Sequence, residues 1–364
     1  MRVNENILLS SLTTMRLGGP ARYVVEIEKP EEIPDAYEFA RQNQLPTFIL
    51  GYGANAIGRD EGFTGVIIIN RIRGISEISK TAESTVIQGD LYRSDSPADL
   101  HMETAGWQQI RHLIKIMGGE YWDDVVKFSC EKGFTGIEAM SKIPGLAGSA
   151  PVQNIGAYGQ ELADTFVELE AYDSITRKTV TLSKKDLHFA YRQSIFNTSE
   201  KNRYFIISIT LGLLEGQMKR PFYNSLEKYI DAHSITDFSP MGIRKIVSVV
   251  RAEKLPDPLK IASSGSFFHN VYLTEAQAER ALEQNIPVYQ SKEGFKVNAA
   301  WLIESCGLKG KLISGFRVSA KAPLVLINES ATSHNDLDKA KSEIVGKVYD
   351  KFGYWLEQEP VEIQ

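Results

Sequence analysis

A glycine-rich stretch at residues 143–159, IPGLAGSAPVQNIGAYG, carries the strongest chemical signal in the chain. It includes four glycines and two prolines, a composition that argues against a helix or a regular strand. Glycine lets backbone N–H groups approach a ligand closely, and successive amides that face one way form an anion-binding nest. Because apolar residues alternate with the glycines, we expect a buried, partly polar loop suited to a flat cofactor with a diphosphate. A tight connection between domains without a ligand is the alternative.

A second glycine-rich loop, GYGANAIGRDEGFTG, occupies residues 51–65 between two predicted strands. Its Gly51-x-Gly53-x-x-Ala56 spacing superficially fits a dinucleotide-binding fingerprint, but that fingerprint requires a helix to open at the second glycine. The further glycines of the loop would break such a helix. The stretch therefore predicts a second loop whose backbone approaches a phosphate.

Three polar residues elsewhere could act on a substrate. Arg192, in FAYRQS, carries a planar guanidinium that can bind a carboxylate through two hydrogen bonds, although a structural salt bridge explains the residue equally well. Ser266, in SSGSFFHN, has no G-x-S-x-G elbow around it, which argues against a hydrolase nucleophile. Glu359, in WLEQEP, lies near the end of the sequence, where an exposed glutamate is the default interpretation.

The elements that must position these residues form a mixed pattern, which predicts an α+β or α/β fold. The predicted strands lie at 23–27, 47–50, 66–69, 85–88, 166–172, 178–182, 205–213 and 324–328. The predicted helices lie at 30–42, 122–130, 223–233, 240–253, 275–284, 299–305 and 334–352. The character of the sequence changes after residue 217. We therefore expect a domain at 1–217, a second at 218–352, and a tail at 353–364 that returns to the first.

The composition is typical of a soluble globular protein. The 364 residues are 43% hydrophobic and 24% charged, and this length predicts two or three domains. A net charge of −5 gives no support to nucleic-acid binding. The two cysteines, Cys130 and Cys306, lack metal-ligand spacing, so we expect no disulfide scaffold, no metal site and a reducing compartment. No apolar run approaches the ~18 residues of a membrane span, and we expect a cytoplasmic protein without membrane insertion.

The 143–159 stretch resembles the signature of the UDP-N-acetylenolpyruvoylglucosamine reductase family, flavin enzymes of peptidoglycan precursor synthesis. The resemblance runs from about residue 13 to residue 359. It implies an α+β fold with a two-subdomain FAD-binding domain of the vanillyl-alcohol-oxidase/PCMH type, divided at about residue 70, and a smaller α+β substrate-binding domain. Residues 76–118 look like an insertion, which we interpret as a surface excursion because long surface insertions cost little.

The resemblance implies that both glycine-rich loops contact FAD. Neither loop contains a His or Cys that could tether a flavin, so we expect the FAD to be non-covalent. Ala54 stands where the family usually has serine. The residues implied to bind the cofactor are Leu50, Gly51, Tyr52, Gly53, Ala54, Asn55, Ile143, Pro144, Gly145, Ala147, Gly148, Ser149, Ile155, Ala157 and Gly159.

The implied reaction is the NADPH-dependent reduction of UDP-N-acetylglucosamine enolpyruvate to UDP-N-acetylmuramate. The implied catalytic residues are Arg192, which stabilises developing charge, Ser266, which protonates carbon, and Glu359, which helps orient the site. The implied substrate-binding residues are Tyr158, Tyr223, Arg251, Lys254 and Asn270, the tyrosine at 223 being typical of the longer form of the family.

Two departures from the family pattern concern the substrate site. Pro360 and Val361 replace the V-R that follows the second glutamate of the family, and the segment GFRVSAKAP at 315–323 lacks the family's histidine. We expect a monomer whose partners are the UDP-sugar and NADPH. The alternatives are another FAD-dependent oxidoreductase of the same fold, or an inactive homologue that binds flavin or a nucleotide sugar.

Overall fold

Two units with separate hydrophobic cores make up the computed structural model, which describes residues 1–82, 110–291 and 294–364. The first unit comprises Met1–Val3, Val25–Gly51 and Ile67–Arg251, and the second comprises Asn4–Val24, Tyr52–Val66 and Ala252–Gln364. The domain bounds expected from the sequence, 1–217, 218–352 and 353–364, stay a prediction. Within the described ranges, no helix combines the length and apolar character needed to cross a membrane.

The α-helices follow the predicted pattern closely. Their bounds are α1 Leu9–Leu12, α2 Ile33–Gln42, α3 Trp122–Glu131, α4 Leu162–Thr165, α5 Asn224–Ala232, α6 Pro240–Lys254, α7 Glu275–Glu283, α8 Ala299–Ser305 and α9 His334–Phe352. Every predicted helix is confirmed, and the first begins as a 3-10 turn at Pro30–Glu32. In α9, the Ser333 hydroxyl caps the first turn, and Gly353 ends the helix with a φ of 73° that favours glycine.

The longest described strand, β13 at Tyr204–Glu215, lies in the first unit, and the described strands that lie wholly in the second unit have at most four residues. The strand bounds are β1 Arg2–Leu8, β2 Pro20–Ile27, β3 Thr47–Leu50, β4 Ala56–Gly58, β5 Phe63–Asn70, β6 Ile75–Ala82, β7 Ile110–Met117, β8 Phe134–Thr135, β9 Gly156–Ala157, β10 Gln160–Glu161, β11 Phe166–Asp173, β12 Lys178–Ser183, β13 Tyr204–Glu215, β14 Ser263–Ser266, β15 Val271–Leu273, β16 Tyr289–Ser291, β17 Gly294–Val297, β18 Leu312–Ile313, β19 Phe316–Val318, β20 Val325–Asn328 and β21 Val361–Ile363. The predicted strands are confirmed except 85–88, which lies outside the described residues.

A six-stranded antiparallel sheet is the framework of the first unit. Its order is β12-β11-β13-β7-β6, and β8 pairs with the end of β13. Helix α3 buries Trp122, Val125 and Val126 in the same core as Ile114 and Ile116 of β7. This core supports the 143–159 loop, because Ala147 and Ala150 belong to it.

The interpretation of residues 76–118 as a surface excursion is corrected at both ends. Residues 76–82 belong to β6 and residues 110–117 to β7, and β7 lies between β13 and β6 in the sheet. In β7 the side chains of His112, Ile114 and Ile116 are buried, which is the two-residue period of a strand with one face on the core. Residues 83–109, the rest of the predicted insertion, lie outside the described residues.

The remaining sheets are smaller. Strands β1, β2, β5 and β3 form a sheet in that order. The second unit holds the sheets β14-β20-β19-β18 and β15-β17-β16, and its β21 pairs in parallel with β4. Its core gathers aromatic and aliphatic residues from α8, α9 and the strands around them, among them Phe267, Phe268 and Phe316. Strand β14 thus places Ser266 immediately before a buried aromatic pair.

Candidate active site

The 143–159 loop is anchored by its backbone to the segment that precedes α3. The Trp122 N–H donates to the Gly145 carbonyl at 3.0 Å, and the Ala147 and Gly148 N–H groups donate to the carbonyls of Glu120 and Gly118, both at 2.8 Å. The loop contains a 3-10 turn at Ala147–Ser149 and the two-residue β9, consistent with a predicted lack of long regular structure. Leu146, Ala147 and Ala150 are buried, whereas most other loop residues are half-buried.

Gly51 and Ser149, one from each predicted flavin loop, are in direct contact within the first unit. A Cβ added to Gly51 would lie 2.0 Å from the Ser149 Oγ, a separation that real Cβ atoms do not reach. Leu50, just before Gly51, is 3% exposed and ends β3. The glycine at 51 therefore leaves room for the Ser149 side chain in this orientation.

Gly53 has a left-handed backbone conformation in the second loop. Its φ is +73°, and a Cβ there would lie 2.0 Å from the Leu12 carbonyl oxygen. The Gly53 carbonyl accepts from the Thr14 N–H at 3.0 Å. Because a trans peptide is planar, the N–H of Ala54 points away from Thr14. Among the hydrogen bonds of the described chain, none is donated by the N–H groups of Gly53, Ala54 or Asn55.

Two glycines of the 143–159 loop face open space. Within the described part of the chain, no heavy atom lies within 4 Å of the Cβ position of Gly145 or Gly159. In the first unit, a loop with this open face accepts a flat group without steric conflict. In the second unit, the amides at 53–55 can bind a phosphate. Each loop, taken by itself, fits one part of a cofactor that carries a flat ring system and a diphosphate.

Arg192 lies at the tip of a tight turn in the first unit. Ala190 and Gln193 exchange backbone hydrogen bonds of 3.1 Å in both directions, which leaves Tyr191 and Arg192 as the two turn residues. Arg192 has a φ of +54°, an uncommon value for a residue with a side chain. Its Nη2 donates to the Gly156 carbonyl at 3.0 Å, so the guanidinium is held against the 143–159 loop.

Three of the predicted substrate-binding residues form a cluster near Arg192. The rings of Tyr158 and Tyr223 meet edge to face with centroids 5.8 Å apart, and the Arg251 guanidinium lies close enough to interact with the Tyr158 hydroxyl. Burial raises the pKa of Tyr158, although the charge of Arg251 opposes this shift. Burial also lowers the pKa of Arg251, and the positive charge of Arg192 acts in the same direction. Two guanidinium groups in one partly buried cluster favour an anionic ligand.

Ser266, Asn270 and Glu359 are brought together within the second unit. The Glu359 N–H donates to the Phe267 carbonyl at 2.9 Å, and Phe268 forms an antiparallel bridge with Gln358. Ser266 and Glu359 therefore lie on adjacent, hydrogen-bonded backbone segments. The Asn270 Oδ1 accepts from the Ala299 N–H at 3.1 Å, which fixes this side chain at the start of α8. Lys254 is exposed at the end of α6.

His269 is a neighbour of the site that the sequence analysis missed. Its Nδ1 lies 3.9 Å from the Glu359 Oε2, and its backbone N–H donates to the Glu357 carbonyl at 2.9 Å. The available signal was its position within GSFFHN, between Ser266 and Asn270. His269 therefore lies beside the proposed catalytic carboxylate.

The chain matches two known protein families. Residues 257–363 match the family described as "UDP-N-acetylenolpyruvoylglucosamine reductase, C-terminal domain", and residues 21–179 match the family described as "FAD binding domain". The first match includes Ser266, Asn270 and Glu359, and the second includes both glycine-rich loops.

Curated relatives extend this similarity over nearly the whole chain. The UDP-N-acetylenolpyruvoylglucosamine reductase of Vibrio vulnificus (strain YJ016) is 34% identical over 363 residues, which cover 99% of this chain and 94% of the relative. The enzyme of the same name from Escherichia coli (strain K12) is 32% identical over 357 residues, covering 97% and 95%. The solved UDP-N-acetylenolpyruvylglucosamine reductase of Thermus caldophilus shares the fold, with a TM-score of 0.63 and 19% identity over 100% of both chains.

Proposed function

The chain belongs to the UDP-N-acetylenolpyruvoylglucosamine reductase family, and we propose from this membership that it reduces UDP-N-acetylglucosamine enolpyruvate to UDP-N-acetylmuramate. The reaction uses NADPH and a bound FAD and belongs to peptidoglycan precursor synthesis. The predicted fold class, an FAD-binding fold followed by a smaller α+β domain, is confirmed. FAD supplies the redox chemistry when bound, since a flavin can accept a hydride and pass it to the substrate.

For the cofactor, the two glycine-rich loops provide backbone N–H groups and open glycine faces rather than charged side chains. The free amides of Gly53, Ala54 and Asn55 support a role in holding the diphosphate, and they do so without the hydroxyl that serine would add at position 54. The open faces at Gly145 and Gly159 support a role for the 143–159 loop against the flat part of the cofactor. The flavin is non-covalent in this proposal, because neither loop offers a His or Cys.

For catalysis, Arg192, Ser266 and Glu359 take the roles implied by the family. Arg192 binds the enolpyruvyl carboxylate and stabilises the negative charge that develops there when hydride reaches the neighbouring methylene carbon. Ser266 gives its hydroxyl proton to the carbon next to the carboxylate, which is a strong base at that stage. Glu359 helps orient the site. The fixed guanidinium of Arg192, held by the Gly156 carbonyl, is the observation that carries this proposal most strongly.

For substrate binding, the first unit provides the cluster of Tyr158, Tyr223 and Arg251. The Arg251 guanidinium is costly to bury without an anionic partner, which supports a contact with the carboxylate or diphosphate of the UDP-sugar. Lys254 and Asn270 complete the proposed set. No arginine follows Glu359 here, so this cluster supplies the guanidinium contacts of the proposal. We also propose that the enzyme is a cytoplasmic monomer.

The colour of the purified protein tests the proposal directly. The enzyme purifies yellow, NADPH bleaches it under anaerobic conditions, and UDP-N-acetylglucosamine enolpyruvate then restores the colour. A yellow protein that NADPH bleaches but the enolpyruvyl sugar does not recolour would indicate a different flavin oxidoreductase. A yellow protein that NADPH does not bleach would indicate an inactive homologue.

A further inference from the structure

We propose that His334 and Glu362 form a binding site for a transition-metal cation of the Zn²⁺ class in the second unit, with Asp338 orienting the histidine. His334 is 4% exposed, and within the described chain its Nε2 is buried without a hydrogen-bond partner. A buried polar nitrogen without a partner is unfavourable, because it has lost its contacts with water. This atom therefore points to a ligand.

The surroundings of the ring determine which nitrogen is available. The Nδ1 of His334 lies 3.1 Å from the Asp338 Oδ2, one helical turn further along α9. An ionised carboxylate only accepts hydrogen bonds, so Nδ1 carries the proton. In the neutral ring, Nε2 then presents a lone pair. A carboxylate behind a metal-binding histidine is the usual outer-shell arrangement of such sites.

The Glu362 Oε1 faces this lone pair at a distance that suits a shared metal ion. The separation of Oε1 and Nε2 is 3.4 Å, which is long for a hydrogen bond from N–H to oxygen. Two ligands at the usual Zn–N and Zn–O distances, with a tetrahedral angle between them, lie about 3.3 Å apart. One ligand atom from each of His334, Asp338 and Glu362 lies within 4.8 Å of the others.

The charged side chains around the site leave a Glu362 carboxylate oxygen available to bind a cation. Arg59 pairs with the Oε2 of Glu362, so Oε1 stays available. The Lys341 Nζ lies 3.0 Å from the Asp338 Oδ1 and 3.9 Å from the Glu362 Oε1. This ammonium group competes with a metal ion for the two carboxylates, and a bound metal must displace it. Asp60 adds a third carboxylate near the site, since its Oδ1 accepts from the His334 N–H at 2.7 Å. Three carboxylates thus face these two cationic side chains.

The donor types select the class of metal. One imidazole nitrogen and one carboxylate oxygen, completed by water, suit Zn²⁺ and similar first-row ions. Mg²⁺ and Ca²⁺ prefer oxygen ligands only. Bound metal would join α9 to β21, and β21 begins two residues after Glu359 in the chain. The site is thus placed to hold the C-terminal segment.

Calorimetric titration of the untagged FAD-loaded enzyme with ZnCl₂ tests the proposal. A Cys306→Ser background removes the partly exposed thiol as an alternative ligand. We expect one Zn²⁺ per chain, a higher melting temperature with Zn²⁺ and no such effect of MgCl₂. We expect His334→Gln to abolish this binding and Asp338→Ala to weaken it ~10–100-fold, the usual effect of losing an outer-shell partner. His233→Gln, an exposed histidine on the first unit, is the matched control and should bind like the parent.

A variant at Lys341 keeps the test decisive if His334→Gln loses Zn²⁺ binding only because it fails to fold. Lys341→Met removes the competing charge from the half-buried side chain, and we expect it to bind Zn²⁺ more tightly than the parent. Flavin content and circular dichroism check the fold of each variant. The proposal fails if the parent takes up no more Zn²⁺ than a folded His334→Gln variant, or if Lys341→Met weakens binding.

Discussion

The guanidinium of Arg192 is tied to the glycine-rich loop through the carbonyl of Gly156, with 3.0 Å between the Nη2 and the oxygen. The same residue has a left-handed backbone, a conformation that costs about 1–3 kcal/mol and tends to occur at functional sites. The Asn197 side chain supports the turn by donating to the Arg192 carbonyl at 2.9 Å. The turn thus fixes both the backbone and the charge of the proposed catalytic arginine.

Arg192→Lys should separate these roles. Lysine keeps the charge but not the planar fork, so the substrate carboxylate loses a bidentate partner. We expect the reoxidation of reduced flavin by the enolpyruvyl sugar to slow ~10²–10³-fold, the usual cost of losing one charge-stabilising donor. Reduction by NADPH should change little. Stopped-flow flavin absorbance measures both steps.

Arg41→Lys is the control for this substitution. Arg41 pairs with Glu38 on α2, and the pair is well exposed, so the variant should behave like wild type in both half-reactions. If Arg192→Lys slows both half-reactions equally, the arginine has a structural role instead.

Gly51→Ala should lower the FAD content of the protein. The new Cβ would overlap the Ser149 Oγ and lie 3.2 Å from the Ser149 Cβ, so the serine side chain must rotate or one of the two loops must shift. Ser149→Gly in the same chain removes the obstructing side chain and should restore part of the flavin content. Gly346→Ala is the control, because its Cβ position faces open space beyond the backbone of its own helix in the described chain, and alanine favours the helix. The ratio of absorbance near 450 nm to that at 280 nm is the measurement; full FAD content in Gly51→Ala would contradict the close contact.

Much of this arrangement could be predicted from the sequence because the signals are local. The glycine spacing predicted both loops, and the 3.6-residue period with Ser333 and Gly353 at its ends predicted α9. The strand β7 was not predicted, although buried His112, Ile114 and Ile116 alternate with more exposed neighbours. The alternation covers only eight residues, and the strand's partners β6 and β13 are set by contacts between distant parts of the sequence. The contact between the rings of Tyr158 and Tyr223 joins distant parts of the sequence, and no local pattern encodes it.

The connection between β6 and β7 should be replaceable by a short turn. Ala82 and Ile110 are directly opposite residues of an antiparallel pair, so their backbones are about 5 Å apart. An Asn-Gly turn in place of residues 83–109 matches the twist of two such strands. We expect the variant to purify with unchanged FAD content. A soluble but colourless protein would show that residues 83–109 contribute to the cofactor site.

Asp123 should make the protein acid-sensitive. Burial raises the pKa of its carboxyl, but hydrogen bonds from Arg244 and Lys142 outweigh this effect and hold the pKa well below its usual range. Because the pKa is depressed in the folded protein, the stabilisation is present above the unfolded value, about 3.9, and is lost as the pH falls through the folded value. Lys142 directly precedes the 143–159 loop, so this ion pair also anchors the loop.

Asp123→Asn should therefore cost ~1.5–3 kcal/mol of unfolding free energy at pH 7, the range for hydrogen bonds to charged groups. The difference from wild type should shrink as the pH is lowered below about 4. Thermal melts between pH 7 and pH 3 measure it. Asp231→Asn, which removes an exposed pair with Arg220, should cost less than ~1 kcal/mol at every pH. A loss that does not change with pH would assign Asp123 a packing role.

Ser266→Ala tests the proton donor, because the two half-reactions make different demands on this hydroxyl. Reduction of the flavin by NADPH requires no proton for a substrate carbon and should proceed at nearly the wild-type rate. Reoxidation by the enolpyruvyl sugar requires that proton, and losing a positioned donor costs ~10²–10⁴-fold. The variant should bleach with NADPH and then stay bleached when the sugar is added anaerobically. Ser264→Ala, on the same strand, is the matched control: its buried Oγ has no hydrogen-bond partner in the described chain, so both half-reactions should be unchanged. A second half-reaction slowed less than tenfold would exclude Ser266 as the donor.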